Sequence, residues 1–523
     1  MSLAWSLLAA LGLALAYAAQ MARWARVLQR EHYEAASMAR FWRRWTFPSL
    51  RYTRVATLRR FRPITLTYVL WCTLPVAVII AVFARMPAVV VVDAVVYGLT
   101  CPRGLTPRGR TSPLRWTRRL RTVASVGLAV ALAIVGIGAT LGATLLAGAL
   151  VVWVVPFTLA LAARLLDPYE ARLASRFVET ARLRLTRVHP IVVAITGSYG
   201  KTSTKNHLAD LLRGDGGVVA TPKSFNNRAG LSRAINENLA DGTRVFVAEM
   251  GTYGPGEISA LCEWCVPDIA VVTAIGPVHL ERMGSLDVIE EAKFEITERA
   301  RVVIVNVDDP RLALWPTRLG ERRVRTAGSA NARADVRVTP VDSTWHVWVD
   351  GAEVARVAAT AGLQPTNVAC ALAAALEVGV TTAEFAKRLS GLQPVANRAT
   401  IALAPSGVTV IDDTFNANPA SARASLDLLG SLEVLGRRVV ITPGLIELGV
   451  EQAPSNEELG RDIARRGFEL GVVGRSNAGA LAVGYGPELR DFRRRDDAVA
   501  WVRESLVLGD AVLYLNDLPD HYP

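Results

Sequence analysis

The chain divides by hydropathy into two parts that one kind of fold cannot serve. Its first third carries apolar runs of membrane-spanning length: "SLAWSLLAALGLALAYAAQM" (2–21), "ITLTYVLWCTLPVAVIIAVFA" (64–84) and the long run 123–163, which allows two crossings. From 189 onward the texture changes to short β-branched runs such as "IVVAIT", "RVFVAEM" and "RVVIVNV", alternating with helical patterns. Strands alternating with helices imply parallel α/β layers.

Charge follows the same division. Residues 1–190 hold 25 Arg and no Lys against 6 acidic residues, whereas the remainder holds 34 basic and 41 acidic residues. The net charge of +12 therefore belongs to the apolar third and gives no argument for a nucleic-acid partner. It sits in the loops between apolar runs, as the cytoplasmic loops of a membrane protein require. Arg23, Arg26 and Arg30 follow the first run rather than precede it, which predicts an uncleaved anchor with its N-terminus outside. The stretch from there to Arg62, with "RFWRRW" and "RYTRVATLRRFR", suits the headgroup layer. "MPAVVVVDAVVYGL" (86–99) suffices only for a short or tilted return, and its Asp93 must be paired or lie at an interface. Five crossings place both Arg-rich loops and everything after 164 in the cytoplasm; four crossings, with 86–99 re-entrant, move only residue 1. The expectation is a multi-pass protein of the cytoplasmic membrane.

The five cysteines form no disulfide framework, and Cys262 and Cys265 have C-x-x-C spacing without a second pair to complete a zinc site. Their expected role is structural, in a reducing compartment. Lysine says more. There are 5 Lys (201, 205, 223, 293 and 387) against 54 Arg. A solvated surface cation can be either residue, but an amine used as a compact point charge or a nucleophile cannot be Arg.

The stretch "IVVAITGSYGKTSTKNHL" (191–208) reads as a buried strand, a glycine-containing turn and a helix. Gly200, Lys201 and Thr202 supply the end of a G-x-x-x-x-G-K-[ST] phosphate loop, but Ile195 stands where its first glycine should be. Amides at the start of that helix make an anion site. Lys201 would meet the β/γ-phosphates, and the Thr202 hydroxyl would reach Mg²⁺. "VFVAEMGTYGPGEI" puts Glu249 at a strand end, and "VVTAIGPVHLERMGSLDVIEEAKFEI" puts His279 after another strand and Lys293 on a helix. Singly, each also reads as an ordinary solvated carboxylate, capped loop residue or surface charge.

Together with "VIDDTFNANPASARASL", these ordered motifs resemble the Mur ligase family over about 190–460, where the loop has the form T-G-x-x-G-K-[ST] and no glycine is expected at 195. The resemblance implies an α/β fold: a Mur-ligase-type P-loop central domain (189–398) and a Rossmann-like C-terminal domain (399–523); the apolar runs ahead of them predict an α-helical transmembrane region (1–188). It implies an ATP-dependent ligase that forms an amide through an acyl phosphate, with ATP and Mg²⁺ as cofactors. Gly197, Ser198, Gly200, Lys201, Thr202 and Ser203 would hold the phosphates. Thr202, Glu249, His279 and a carbamylated Lys293 would hold metal. Asn367 resembles the adenine contact, Asp413 the ribose contact and Arg398 the arginine that reaches the γ-phosphate. Lys201, Lys293, Arg398 and His279 form the catalytic set, and Asn226, Asn227, Asn416 and Asn418 lie where the substrate is held. The resemblance implies an acid and an amine as partners; the apolar N-terminal runs add the membrane, and with it the expectation that the acid is either a small molecule or lipid-linked.

Three departures limit the transfer. Apolar runs stand where the family has its UDP-sugar-binding domain, Thr366 stands where His usually precedes the adenine Asn, and the C-terminus reads "LYLNDLPDHYP" instead of a Lys-Gly-Ser-Arg segment. Membrane-associated Mur-like poly-γ-glutamate synthases offer a second model for the substrate. Two other classes stay open: a P-loop ATPase coupled to membrane transport, and a non-catalytic scaffold.

Overall fold

A computed structural model describes residues 3–46, 87–102, 104–108, 113–214, 216–222, 225–360, 362–393, 400–414 and 418–517. The expected span 64–84 and the site candidates Arg398 and Asn416 lie outside the described residues.

The N-terminal part is helical: α1 (Leu3–Arg30), α2 (Ala35–Thr46), α3 (Pro87–Thr100), α4 (Arg118–Thr140) and α5 (Thr144–Val188). Three of these, α1, α4 and α5, are long and apolar enough to cross a membrane by length and composition. The run 86–99 forms the 14-residue α3, packed beside α1 with small residues at the contact, Gly98 against Ala16 and Gly12 against Val95. Its last carbonyls are capped by α1: Gln20 Nε2 donates to Cys101 O at 2.6 Å, and Arg23 donates to Gly98 O and Leu99 O, each at 2.6 Å. Asp93 Oδ2 is buried with no hydrogen-bond partner among the described residues.

The run 123–163 forms α4 and the first part of α5, two helices each long and apolar enough to cross. Its second half continues as one 45-residue helix, about 68 Å long at 1.5 Å per residue, and stops at His189 in a left-handed conformation (φ 51°). The last turns of α5 belong to the core of the following domain, where Ala181 and Leu185 pack with Val192, Leu231 and Ile235. Asn236 Nδ2 donates to Phe177 O at 3.0 Å, and Arg184 donates to Asn236 O.

The central domain is a nine-stranded sheet in the order β2-β3-β1-β4-β5-β6-β7-β8-β9. The strands are β1 (Ile191–Thr196), β2 (Val218–Ala220), β3 (Val245–Glu249), β4 (Ile269–Val272), β5 (Val302–Asn306), β6 (Arg323–Gly328), β7 (Val336–Val341), β8 (Thr344–Val349) and β9 (Ala352–Ala358). Strands β1 to β7 pair in parallel, and β8 and β9 add an antiparallel hairpin. Helices α6 (Lys201–Leu211) and α7 (Arg228–Asn238) follow β1 and β2, α8 (Leu286–Phe294) lies between β4 and β5, and α9 (Pro365–Val378) follows the hairpin. Both faces of the parallel sheet are covered, so its strands are near-continuous apolar runs and β3 is buried throughout.

The second sheet runs β10-β11-β15-β12-β13-β14, parallel except for β10, which pairs antiparallel with β11. It contains β10 (Thr400–Leu403), β11 (Thr409–Asp413), β12 (Arg438–Thr442), β13 (Glu469–Val473), β14 (Arg490–Phe492) and β15 (Ala511–Leu515), with α10 (Pro419–Ser431) and α11 (Gln452–Arg465) among its helices.

Candidate active site

Chain order in the central sheet reverses at β1, which lies between β3 and β4. Ligands of open α/β sheets sit beyond the strand C-termini at such a reversal. The loops leaving β1, β3 and β4 there carry Gly197 to Lys201, Glu249 to Tyr253, and Thr273 to His279.

The loop after β1 is braced by the segment after β4. Ser198 Oγ donates to Gly276 O at 3.0 Å, Ser198 N donates to Ala274 O at 2.7 Å, and Thr273 Oγ1 donates to Tyr199 O. Gly197 (φ 148°) and Gly200 (φ 80°) take conformations that L side chains rarely adopt. A Cβ on Gly200 would also fall onto Asn367 Oδ1, which puts the start of α9 against the loop. The first amides of α6 have no intrahelical acceptor and face this turn. Lys201 folds back over it, with Nζ donating to Gly197 O at 2.6 Å. Ser203 lies one position beyond Thr202 in the first turn of α6.

Glu249 ends β3 and is 1% exposed. It accepts from Thr202 Oγ1 at 3.0 Å and from Asn226 Nδ2 at 3.1 Å, and it is ion-paired with Lys205 Nζ at 3.3 Å. No sequence motif gives Lys205 a role, although its scarcity among 54 Arg marks it. Gly251 is tightly seated, since a Cβ there would lie 2.9 Å from Asn226 Cγ.

Beside this group a pocket is lined by Gly197, Lys201, Asn226, Tyr253, His279 and Lys293, among others. Lys293 is buried, and among the described residues it has no hydrogen-bond or ion-pair partner. Burial, reinforced by the nearby Lys201 charge, lowers its pKa well below the usual lysine range. His279 (φ 57°) caps a short helix, meets the Tyr253 ring edge-on at 4.6 Å between centroids, and is hydrogen-bonded through Nδ1 to Glu447 of the C-terminal domain. Burial alone would raise the Glu447 pKa, but His279, Arg282 and Arg44 outweigh it and bring the carboxyl to about 2.

The remaining candidates lie elsewhere. Asn227 caps α7, with Oδ1 accepting from Gly230 N at 2.9 Å. Asn418 caps α10, accepting from Ala420 N at 3.0 Å and Ser421 N at 2.9 Å. Asp413 is buried at the end of β11, where Ser425 Oγ donates to it at 2.6 Å. None of these three lines the pocket.

The Mur ligase middle domain model matches residues 195–377. The UDP-N-acetylmuramoyl-tripeptide–D-alanyl-D-alanine ligase of Mycobacterium tuberculosis H37Rv is 34% identical over 357 residues, covering 62% of this chain and 69% of that protein. The ligase of the same name from Bacillus subtilis strain 168 is 30% identical over 345 residues, covering 64% of this chain and 75% of that protein. The crystal structure of MurF ligase from Thermotoga maritima in complex with ADP superposes with a TM-score of 0.57 at 25% identity, covering 66% of this chain and 80% of that one. The chain belongs to the Mur ligase family. It spans between 63% and 75% of the length of such curated relatives, including 63% of the ligase from M. tuberculosis strain CDC 1551.

Within the Mur ligase fold, Thr366 has a structural role. Its hydroxyl donates to Asp308 at 3.1 Å, and Asp308 also gathers the amides of Ser329, Ala330 and Asn331. Cys262 and Cys265 are buried free thiols, and burial raises the pKa of both, Cys262 to about 12. No three of His, Cys, Asp and Glu gather as a metal-holding group among the described residues. The donor set still fits Mg²⁺, which takes one or two protein oxygens and completes its shell with phosphate and water. Glu249 and the Thr202 hydroxyl supply such a pair, and a carboxylate has lone pairs to spare beyond its present partners.

Proposed function

We propose that the chain is an ATP-dependent ligase joining a carboxylate to the amine of an amino acid or short peptide, held by its N-terminal helices at the cytoplasmic face of a membrane. The observation that carries the chemistry is one pocket holding Lys201 of the phosphate loop, His279, Asn226 and a buried Lys293 that has no partner among the described residues. Such a site is built to gather anions. ATP phosphates lie on the first amides of α6, and Lys201 exchanges the Gly197 carbonyl for phosphate oxygens. Asn367 meets the nucleotide beyond the loop. Glu249 and Thr202 would hold Mg²⁺, and His279 with Lys293 would hold a second ion; bound metal would supply neutralisation of the charge on the transferring phosphoryl group.

Burial favours the neutral form of the Lys293 amine, and that form adds CO₂: a new C–N bond forms, one proton leaves the nitrogen, and the amine becomes an anionic carbamate. A carboxylate oxygen of the acid then attacks the γ-phosphorus, the bridging P–O bond breaks, and ADP leaves an acyl phosphate. The amine attacks the acyl carbon, inorganic phosphate departs, and the amine gives up a proton. Positioning and charge neutralisation do most of this work. The relatives are named for a UDP-N-acetylmuramoyl-tripeptide and D-alanyl-D-alanine. By that analogy the acid is a cell-wall precursor peptide, carried on a nucleotide sugar or on a lipid.

The membrane placement rests on the outward faces of the long helices. Leu7, Leu8, Leu11 and Leu15 on α1, Leu128, Leu132 and Ile137 on α4, and Leu150, Leu161 and Leu165 on α5 are all exposed. Contiguous apolar surface of this kind is costly in water and is satisfied by lipid. The test supplies ATP, Mg²⁺ and acid–amine pairs, both UDP-linked and lipid-linked, to the detergent-solubilised chain. A new amide with stoichiometric ADP supports the reading. ATP turnover indifferent to acid and amine contradicts it.

A further inference from the structure

Three parts of the chain converge on the segment 280–284, directly after His279. From the N-terminal helices, Glu31 and Glu34 both grip Arg282, at 2.8 Å and 2.7 Å. Arg44 of α2 is ion-paired with the neighbouring Glu281. From the pocket, Tyr253 lies under the Arg282 guanidinium, 4.7 Å from its ring centroid, and meets His279 with its other contact. From the C-terminal domain, Glu447 bonds the His279 ring, and its carbonyl accepts from Glu281 N at 3.2 Å. A second bridge joins the same outer parts, since Arg475 of the C-terminal domain lies over the Trp45 ring at 5.5 Å.

The chemistry of this junction favours orientation over adhesion. One guanidinium shared by two carboxylates, with Glu31 only 6% exposed, is a directional contact. Such a pair adds little net stability because desolvation offsets the attraction. The turn that presents the carboxylates holds His32 (φ 55°) and Tyr33 (φ 67°) in the left-handed region, a cost that non-glycine residues bear where geometry matters.

We infer that Glu31 and Glu34, acting through Arg282 and Tyr253, are positioning residues for ligation. They set His279 and the C-terminal domain over the phosphate loop, so the N-terminal helices organise the site as well as tether it. The kinetic arm of this inference rests on the ligase reading.

The test uses the full chain in detergent, comparing Glu31→Gln/Glu34→Gln, Arg282→Glu, and Arg282→Glu with Glu31→Arg. Neutral, near-isosteric Gln keeps the fold while removing the charge pair. In the first two, kcat for amide formation falls on the order of tenfold while KM for ATP changes less than about twofold. Amide hydrogen exchange at 280–284 and 445–449 rises on the order of tenfold in the same variants. The charge swap returns both toward the unaltered values. Unchanged exchange, or raised exchange without loss of kcat, overturns the inference. If the unaltered chain makes no amide, the ligase reading fails, and the exchange arm still decides the link between turn and pocket.

Discussion

Thr202 Oγ1 donates to Glu249 Oε2 at 3.0 Å, so the helix that opens the phosphate loop and the strand beside it already meet. Lys205, one turn further along α6, completes the contact as a buried ion pair in which each side chain is 2% exposed. Removing one member of such a pair strands the other. Lys205→Met should therefore destabilise the central domain by about 3 kcal/mol, whereas Lys205→Met with Glu249→Gln should recover much of that loss. Thermal unfolding in detergent checks both; a silent Lys205→Met would contradict the pairing.

Gly200 serves two requirements at once, its left-handed backbone and the close approach of Asn367. Gly200→Ala should cost about 1–2 kcal/mol in backbone strain alone. Because the added methyl displaces Asn367, nucleotide affinity should fall further, on the order of tenfold for 1.4 kcal/mol. Titration with a fluorescent ADP analogue reads the effect, and unchanged affinity would place the nucleotide elsewhere.

The phosphate loop is legible in the sequence because it is local: strand, turn and helix follow within the stretch 191–208. Glu249, His279 and Lys293 are legible only as strand ends and a rare lysine, with their convergence supplied by the sheet order. Asn227 and Asn418 fall in motifs that imply substrate contacts, yet each stands just before a helix, and Pro419 at the first position of α10 marks a cap. Glu447, Glu31 and Glu34 leave no signal. Their partners lie 168 to 251 residues away, and no periodicity encodes such contacts. Hydropathy divides the 45-residue α5 at 163, although the helix itself continues because its later turns switch from apolar all round to a one-sided stripe packed on α7.

Lys293 should be the site of CO₂ addition. With ¹³C-labelled bicarbonate the unaltered chain should show a carbamate carbon signal that Lys293→Ala lacks. Lys293→Ala should also lose ligation without rescue by bicarbonate, since no amine remains to carry the group. Full activity in Lys293→Arg would refute the carbamate, because a guanidinium held cationic cannot form it.

The Glu447 carboxyl lies near 2, against an ordinary value of 4.5. A depressed carboxylate contributes stability that is complete above the unfolded value and is lost as pH falls through the folded one. The His279 contact should therefore weaken from about pH 4.5 down towards pH 2, seen as rising hydrogen exchange at 280–284. Glu447→Gln should show raised exchange at neutral pH and a flatter response across that window. A response identical to that of the unaltered chain would remove Glu447 from the junction.

Ligase chemistry of this kind requires that the substrate carboxylate itself attack ATP. With the acid labelled by ¹⁸O in its carboxylate, mass spectrometry of the released phosphate reads the path of that oxygen. An acyl phosphate transfers one labelled oxygen to each phosphate formed, and that is the predicted result. Unlabelled phosphate would mean that water, not the acid, is the nucleophile, and would contradict the ligase.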